Sequence, residues 1–179
     1  MEKTSSFSVV ICGFMGSGKS TILHELGALS PCDHMELVDL DDEIVKSFSE
    51  TSIEEIVQVH GWENFREREF CIAKDLINKN TVVSLGGGAL SDSLIGQIQL
   101  AKNPLIWVNT PFDICYQRIQ QYSDHRPLAK KSKEELRSLF NERLRNYEKA
   151  NFIIDNSQDG VNSDELNRLI MFLKNWQVE

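Results

Sequence analysis

The chain has 179 residues, of which 41% are hydrophobic and 26% charged, a composition typical of a globular protein. Its net charge of −8 argues against a nucleic-acid-binding surface, because such surfaces carry a basic excess. No apolar run reaches the roughly 18 residues of a membrane span, and the N-terminus lacks the apolar stretch of a signal peptide.

These features favour a single domain over residues 1–179 with neither nucleic-acid nor membrane partners. The chain is expected to be a monomer, because its sequence shows no exposed apolar stripe. The four cysteines are scattered and form no C-x-x-C pair, which favours reduced thiols in the cytoplasm rather than a metal or redox site. We expect Cys12 to be the most reactive of them, since it precedes a glycine-rich loop.

Short apolar runs alternate with amphipathic segments along the whole chain. The runs predict five strands, at Ser8–Cys12, Glu36–Leu40, Thr81–Leu85, Leu105–Asn109 and Phe152–Asp155. The amphipathic segments predict eight helices, at Lys19–Leu29, Asp42–Phe48, Ser52–His60, Trp62–Asn78, Asp92–Leu100, Pro111–Gln121, Lys133–Lys149 and Asp164–Trp176. This alternation predicts an α/β fold of three layers (α/β/α) around a five-stranded parallel sheet, with ligands bound at the carboxyl ends of the strands.

The first strand leads into "GFMGSGKST", which fits the P-loop spacing G-x-x-x-x-G-K-[ST]. Small residues let backbone N–H groups converge on phosphates, and the N-terminus of the next helix adds partial positive charge. Lys19 is expected to reach the β- and γ-phosphates, and Ser20 to ligate Mg²⁺. The residues expected to bind the nucleotide are Gly13, Gly16, Ser17, Gly18, Lys19, Ser20 and Thr21.

The second strand ends in "LVDLDDEI", which places two carboxylates beside the P-loop. Strand alternation puts Asp39 and Asp41 on the same side of the chain. We expect Asp39 to hold Mg²⁺, and Asp41 to accept hydrogen bonds from a polyol and to favour proton loss from the attacking hydroxyl. The alternative is that Asp41 and Asp42 only cap the following helix.

The helix "GWENFREREFCIAKDLI" carries a charged pair on an otherwise apolar face. The stripe expected to face the core includes Trp62, Phe65 and Glu69, with Arg66 at its edge. Since a charge on such a face is costly unless it is paired, we infer that Glu69 orients Arg66 toward a carboxylate. A solvated i,i+3 pair is the alternative.

Three glycines, Gly86, Gly87 and Gly88, follow the third predicted strand and allow a bound molecule to approach the backbone closely. Farther along, Arg143 is expected to be a second cation for an anionic acceptor and shares a helix face with Tyr147.

The polar segment "QQYSDHRPLAKKSK", residues 120–133, is expected to be a mobile lid that closes over the phosphates, or else an ordinary solvated loop. Arg126 within it is expected to stabilise the transferred charge. Arg118, in the preceding helix, is expected to stack on the base.

Taken together, these motifs resemble the shikimate kinase family. The match comprises the P-loop, the D-x-D at Asp39 and Asp41, F-R-x-x-E at Phe65–Glu69, the glycine triplet, R-P-L at Arg126–Leu128, and R-x-x-x-Y at Arg143–Tyr147. Ala129 departs from the leucine usual after R-P-L. The resemblance implies a nucleoside-monophosphate-kinase-like fold, with residues 39–68 as the substrate-binding segment. It also implies MgATP-dependent phosphorylation of the shikimate 3-hydroxyl.

The resemblance implies that the acceptor is bound by Asp41, Arg66, Gly87 and Arg143, with Gly86 and Gly88 beside them. It makes Lys19, Asp41 and Arg126 the catalytic residues. Other readings remain open at this point: a gluconate or nucleoside-monophosphate kinase, or a nucleotide-binding module without catalysis. A guanine-nucleotide switch is disfavoured, because no N-K-x-D motif is present.

Overall fold

The computed structural model describes residues 7–121, 131–157 and 162–176. Five strands within them form one parallel sheet in the order β2-β3-β1-β4-β5. The strands are β1 (Val9–Cys12), β2 (Glu36–Asp39), β3 (Thr81–Ser84), β4 (Leu105–Asn109) and β5 (Phe152–Asp155). The predicted five-stranded parallel α/β fold is confirmed.

Seven helices in the described residues cover the sheet. They are α1 (Lys19–Gly27), α2 (Leu40–Lys46), α3 (Ile53–Leu76), α4 (Asp92–Leu100), α5 (Phe112–Gln121), α6 (Lys133–Tyr147) and α7 (Ser163–Trp176). Strand β1 is buried on both faces: Val9 and Ile11 lie in one apolar cluster, Val10 and Cys12 in the other. Two clusters on opposite faces of one sheet give the expected three layers.

Two of the expected helices, Ser52–His60 and Trp62–Asn78, run together as α3. The helix is kinked at Gly61, whose φ of 80° and ψ of 164° are not helical. Glycine tolerates this backbone conformation, which other residues rarely adopt. The kink divides α3 into two halves, and the C-terminal half carries Arg66 and Glu69.

Trp62 corrects the predicted core stripe of this helix. Its side chain is 43% exposed, whereas Phe65 and Glu69 are buried. Trp62 follows the kink, packs edge-on against Phe65 and lies beside the guanidinium of Arg66. The helical spacing correctly predicts that Trp62 lies on the same side of α3 as Phe65. At Trp62, however, this side of the helix lies at the edge of the core.

The sequence pattern Thr51-x-x-Glu54 predicts an N-cap at Thr51, but Ser52 is the N-cap of α3, and its hydroxyl accepts from the N–H of Glu55. The pattern Ser132-x-x-Glu135 predicts a capping box, which is present at the start of α6. Thr110, which precedes α5, donates its hydroxyl to the carbonyl of Ser17 in the P-loop.

Candidate active site

The glycine-rich loop connects β1 to α1 and is held in a shape that only glycine permits. Gly13 has a φ of 150°, and a Cβ there would lie 2.8 Å from the carbonyl oxygen of Val108. A Cβ on Gly16 would lie 2.7 Å from the carbonyl oxygen of Cys115. The Lys19 ammonium donates to the carbonyl of Phe14 at 3.0 Å, so this cation lies over the loop.

The loop is also fixed from behind by three side chains. The Ser17 carbonyl accepts from the Thr110 hydroxyl at 2.8 Å and from the Asn156 amide at 2.7 Å. Arg118 donates to the carbonyl of Gly16 at 3.1 Å. Because the C=O and N–H of one peptide point in opposite directions, the two bonds to the Ser17 carbonyl turn the N–H of Gly18 to the other side of the loop.

Asn156 is a functional residue that the sequence reasoning missed. It is buried, lies directly after β5 and contacts the loop from 139 residues away. No local pattern could have found it, although its position after a parallel strand is a weak signal. Stacking of Arg118 on a base stays a prediction; the structure shows only its bond to Gly16.

The expected metal ligands lie together at the start of α1 and the end of β2. The Ser20 hydroxyl donates to one Asp39 carboxylate oxygen at 3.5 Å. The other Asp39 oxygen accepts from the N–H of Asp41 and caps α2. A hydroxyl and a carboxylate are oxygen ligands of the kind Mg²⁺ prefers, so these residues fit that ion. Within the described residues no cluster of three His, Cys, Asp or Glu side chains could hold a metal alone.

The two aspartates do not reach the site in the expected way. Strand β2 ends at Asp39, and Asp41 belongs to the first turn of α2. Strand alternation therefore does not place them, and the helix cap comes from Asp39 rather than from Asp41 or Asp42. Asp39, Asp41 and Ser20 nevertheless line one cleft of about 530 Å³ between α1 and α2.

The glycine triplet after β3 brings the acceptor residues together. A Cβ on Gly86 would lie 2.6 Å from the Asp41 carboxylate and 3.1 Å from that of Glu69. A Cβ on Gly87 would lie 3.2 Å from the backbone nitrogen of Met15 and 3.3 Å from Arg143. The triplet therefore lies directly between the P-loop and the charged side chains.

Two guanidinium groups meet at the last glycine of the triplet. A Cβ on Gly88 would lie 2.6 Å from Arg66 Nη2 and 2.7 Å from Arg143 Nη2. Arg66 also donates to Glu69, so the expected ion pair is present, and Glu69 itself is buried. Two like charges converge on one point from α3 and α6, which is the arrangement that an anion would stabilise.

The electrostatics of this cluster agree with that geometry. Burial lowers the pKa of the Arg143 guanidinium, and the neighbouring charge of Arg66 lowers it further. Among the described residues, Arg143 Nη1 is buried without a hydrogen-bond partner. A buried donor that lacks a partner is costly, so a bound carboxylate would relieve the cost.

The pKa of Glu69 is shifted in the opposite direction to that of Arg143. Burial raises the pKa of its carboxyl, and the charge of Asp41 raises it further, while Arg66 and Arg143 oppose both effects. Glu69 thus partly neutralises the two arginines without removing the positive excess on the acceptor side.

Arg126 lies outside the described residues, as do Pro127, Leu128 and Ala129, so its role stays a prediction. The expected reactivity of Cys12 is wrong: the thiol is buried, and burial raises its pKa.

Among the described helices, none combines the length and the apolar character that a membrane span requires.

Comparison with known proteins identifies the family to which the chain is similar. The family model described as shikimate kinase matches residues 15–174. A shikimate kinase of Persephonella marina is 35% identical over 82% of this chain and 87% of its own length. One from Aquifex aeolicus is 34% identical over 79% of this chain and 82% of its own.

Solved structures of shikimate kinases share the fold of this chain. A shikimate kinase from Acinetobacter baumannii in complex with shikimate superposes with a TM-score of 0.82, at 25% identity over 96% of both chains. The shikimate kinase from Aquifex aeolicus gives a TM-score of 0.74, at 27% identity over 94% of this chain and 96% of its own. By the match to the family model and to relatives at 34–35% identity, this chain belongs to the shikimate kinase family, whose members are ATP-dependent kinases.

Proposed function

We propose that this protein transfers the γ-phosphoryl group of ATP to the 3-hydroxyl of shikimate. The observation that carries the proposal is the meeting of Arg66 and Arg143 at Gly88, beside a P-loop. Two guanidinium groups suit an organic acid, and they face a loop built for phosphates. A neutral sugar would leave the two guanidinium groups without a carboxylate to bind and fits the pair less well.

The acceptor is held by opposite charges at its two ends. Arg66 and Arg143 bind the carboxylate, and Glu69 orients Arg66. Asp41 accepts from the ring hydroxyls, while the backbone of Gly86, Gly87 and Gly88 allows the ring to approach closely. Phosphoryl transfer asks mainly for positioning and charge neutralisation, and this site supplies both.

Asp41 has a second role at the reacting oxygen. Its carboxylate lies next to Gly86, on the side of the triplet that faces Glu69. From there it orients the attacking hydroxyl and accepts its proton as the new P–O bond forms. Lys19 and the P-loop N–H groups stabilise the charge on the transferred and departing phosphates. Arg126 is proposed to add to this charge stabilisation.

The metal pair would serve the nucleotide. Ser20 and Asp39 would hold Mg²⁺, which neutralises phosphate charge when it is bound. The Ser20 hydroxyl at 3.5 Å from Asp39 supports this assignment. The Asp39 carboxylate also accepts from the N–H of Asp41 at the start of α2. This bond fixes the proposed metal ligand, Asp39, relative to the backbone of the proposed acceptor-binding residue, Asp41.

A coupled assay of ADP release tests the function directly. We expect ADP to appear at a rate that depends on both shikimate and Mg²⁺, and shikimate 3-phosphate to accumulate in equal amount. ADP release that shikimate does not change would contradict the proposal and favour a nucleotide-binding module. Rapid turnover with gluconate or a nucleoside monophosphate would favour the other kinases.

An Asp41→Asn variant tests the proposed proton acceptor in the same assay. We expect kcat to fall by about 10² or more, since general bases typically contribute 10²–10⁴. The fold should persist, because the cap of α2 comes from Asp39. A near-normal kcat would reduce Asp41 to a minor binding role.

We also propose that the enzyme is monomeric and cytoplasmic. Sedimentation of the purified protein tests whether it is a monomer.

A further inference from the structure

The turn that bears the glycine triplet is attached to α6 by more than Arg143. The Tyr147 hydroxyl donates to the carbonyl of Gly87 at 2.6 Å. The Asn146 amide donates to the carbonyl of Leu90 at 2.8 Å. Three of the last five residues of α6 therefore contact the turn Gly86–Leu90, although they follow it by more than 50 positions.

Tyr147 is well placed to act as a rigid support. It is almost fully buried, and its ring stacks on Trp107 of β4 with centroids 6.0 Å apart. Burial raises the pKa of its hydroxyl, which therefore remains a proton donor to the Gly87 carbonyl. A stacked ring loses little further freedom on forming this bond, so the bond restrains the turn effectively.

Covalent geometry carries this restraint to the acceptor side. In a trans peptide the C=O and the next N–H point in opposite directions. Fixing the Gly87 carbonyl toward Tyr147 therefore fixes the Gly88 N–H away from it. Gly88 is where Arg66 and Arg143 meet, and glycine at positions 87 and 88 would otherwise leave this peptide unusually free to rotate.

We propose that Tyr147 is a positioning residue for the acceptor: its hydroxyl sets the orientation of the Gly87–Gly88 peptide that the acceptor contacts. The expected effect on catalysis rests on the proposed function, whereas the restraint on the Gly87–Gly88 peptide does not. Arg143 lies on the same helix as Tyr147. Helix α6 therefore holds both the Arg143 guanidinium and, through Tyr147, the Gly88 N–H, so that these two donors keep a fixed separation.

The test is Tyr147→Phe, which removes the hydroxyl and leaves the ring on Trp107. We expect KM for shikimate to rise about five- to thirtyfold, as for an unpaired buried carbonyl, with KM for ATP changed less than twofold. Hydrogen exchange of the peptide covering residues 84–92 should accelerate in the variant, and it reports on the turn whether or not shikimate is the substrate.

Thr81→Val is the matched control. The Thr81 hydroxyl also donates to a buried carbonyl, that of Leu76, but at the opposite end of the sheet. We expect a similar loss of stability with both KM values unchanged. Should Tyr147→Phe fail to fold, Asn146→Ala, which frees the Leu90 carbonyl, is expected to give a smaller effect of the same kind.

The outcomes separate the two proposals. A wild-type enzyme that does not phosphorylate shikimate would overturn the proposed function, while faster exchange at residues 84–92 would still support the restraint. Unchanged exchange in Tyr147→Phe, or a KM for shikimate no different from that of Thr81→Val, would overturn the positioning role.

Discussion

Arg66 combines three interactions that only an arginine side chain can hold together. Its planar guanidinium donates to Glu69, lies 5.3 Å from the centre of the Trp62 ring and points a further nitrogen toward Gly88. A lysine ammonium is a single point charge and has no planar fork. The orientation of Arg66 is therefore set by its neighbours before the acceptor binds.

Replacing this arginine should affect one substrate only. For Arg66→Lys we expect KM for shikimate to rise about tenfold or more, which corresponds to roughly 1.4 kcal/mol of lost binding, with KM for ATP nearly unchanged. Steady-state kinetics with each substrate varied in turn measures both. Arg68→Lys, at an exposed position of the same helix, is the control. A rise in KM for ATP instead would move Arg66 out of the acceptor site.

The buried carboxyl of Glu69 gives a pH dependence of known sign. Burial raises the pKa of this carboxyl in the folded protein, whereas an unfolded glutamate has a pKa of about 4.3. The folded state thus binds the proton more tightly, so this group's contribution to stability decreases as pH rises above about 4 and through the folded pKa.

A Glu69→Gln variant lacks this titrating carboxyl. We expect its free energy of unfolding to increase relative to that of the wild type as pH rises from 4.5 to 8, because the wild type alone loses this contribution. Urea denaturation at a series of pH values measures the difference. Glu67→Gln, on the exposed side of the helix, is the comparison. A relative stability that worsens with pH would mean that pairing with Arg66 outweighs burial.

At the scale of the elements, the kink in α3 sets the direction of the half that carries Arg66. Helix α3 packs against α2, which carries Asp41, and Arg66 follows the kink. A straight helix would carry Arg66 in a different direction, since its two halves would share one axis. Gly61 is exposed, and a Cβ there would meet nothing within 4 Å. The backbone angle alone therefore requires glycine.

Two glycine-to-alanine variants should change stability in opposite directions. Gly61→Ala is expected to destabilise the protein by about 1–3 kcal/mol, because φ of 80° with ψ of 164° strains any residue with a Cβ. Gly96→Ala, in α4 and equally unhindered, is expected to stabilise it by about 0.5–1 kcal/mol. Denaturant unfolding of both variants measures this. Equal effects would mean that the kink is not fixed by Gly61.

At the scale of the whole molecule, acceptor binding should stabilise the fold that forms the site. Arg66, Arg143 and Gly88 come from three separate elements, so the site exists only when all of them are packed. A ligand at 100 times its Kd adds about 2.7 kcal/mol to the free energy of unfolding. We expect shikimate to raise Tm accordingly.

The methyl ester of shikimate is the control for this prediction, since it keeps the ring hydroxyls and lacks the charge. We expect it to raise Tm much less at the same concentration, as measured by calorimetry. Equal stabilisation by the ester would mean that the paired arginines do not recognise the carboxylate.

The sequence predicted much of this molecule because its strongest signals are local. Alternating apolar runs gave all five strands to within a residue, and β4 and β5 to the residue. The P-loop spacing identified its own strand and helix. The predictions of family and of activity are confirmed by the comparisons. The Arg66–Glu69 pair followed from one helical turn, since an i,i+3 spacing fixes which side chains meet.

What the sequence alone determined is therefore the chemistry: a phosphate loop, a helix with an ion pair and a turn without side chains. Only the tertiary structure decided where Asp41 lies, that Trp62 is exposed, and that Asn156 and Tyr147 support backbone far away in the chain. The reason is physical. Local spacing fixes dihedral angles and helix faces, but contacts between distant segments depend on how the sheet and its helices pack as one body.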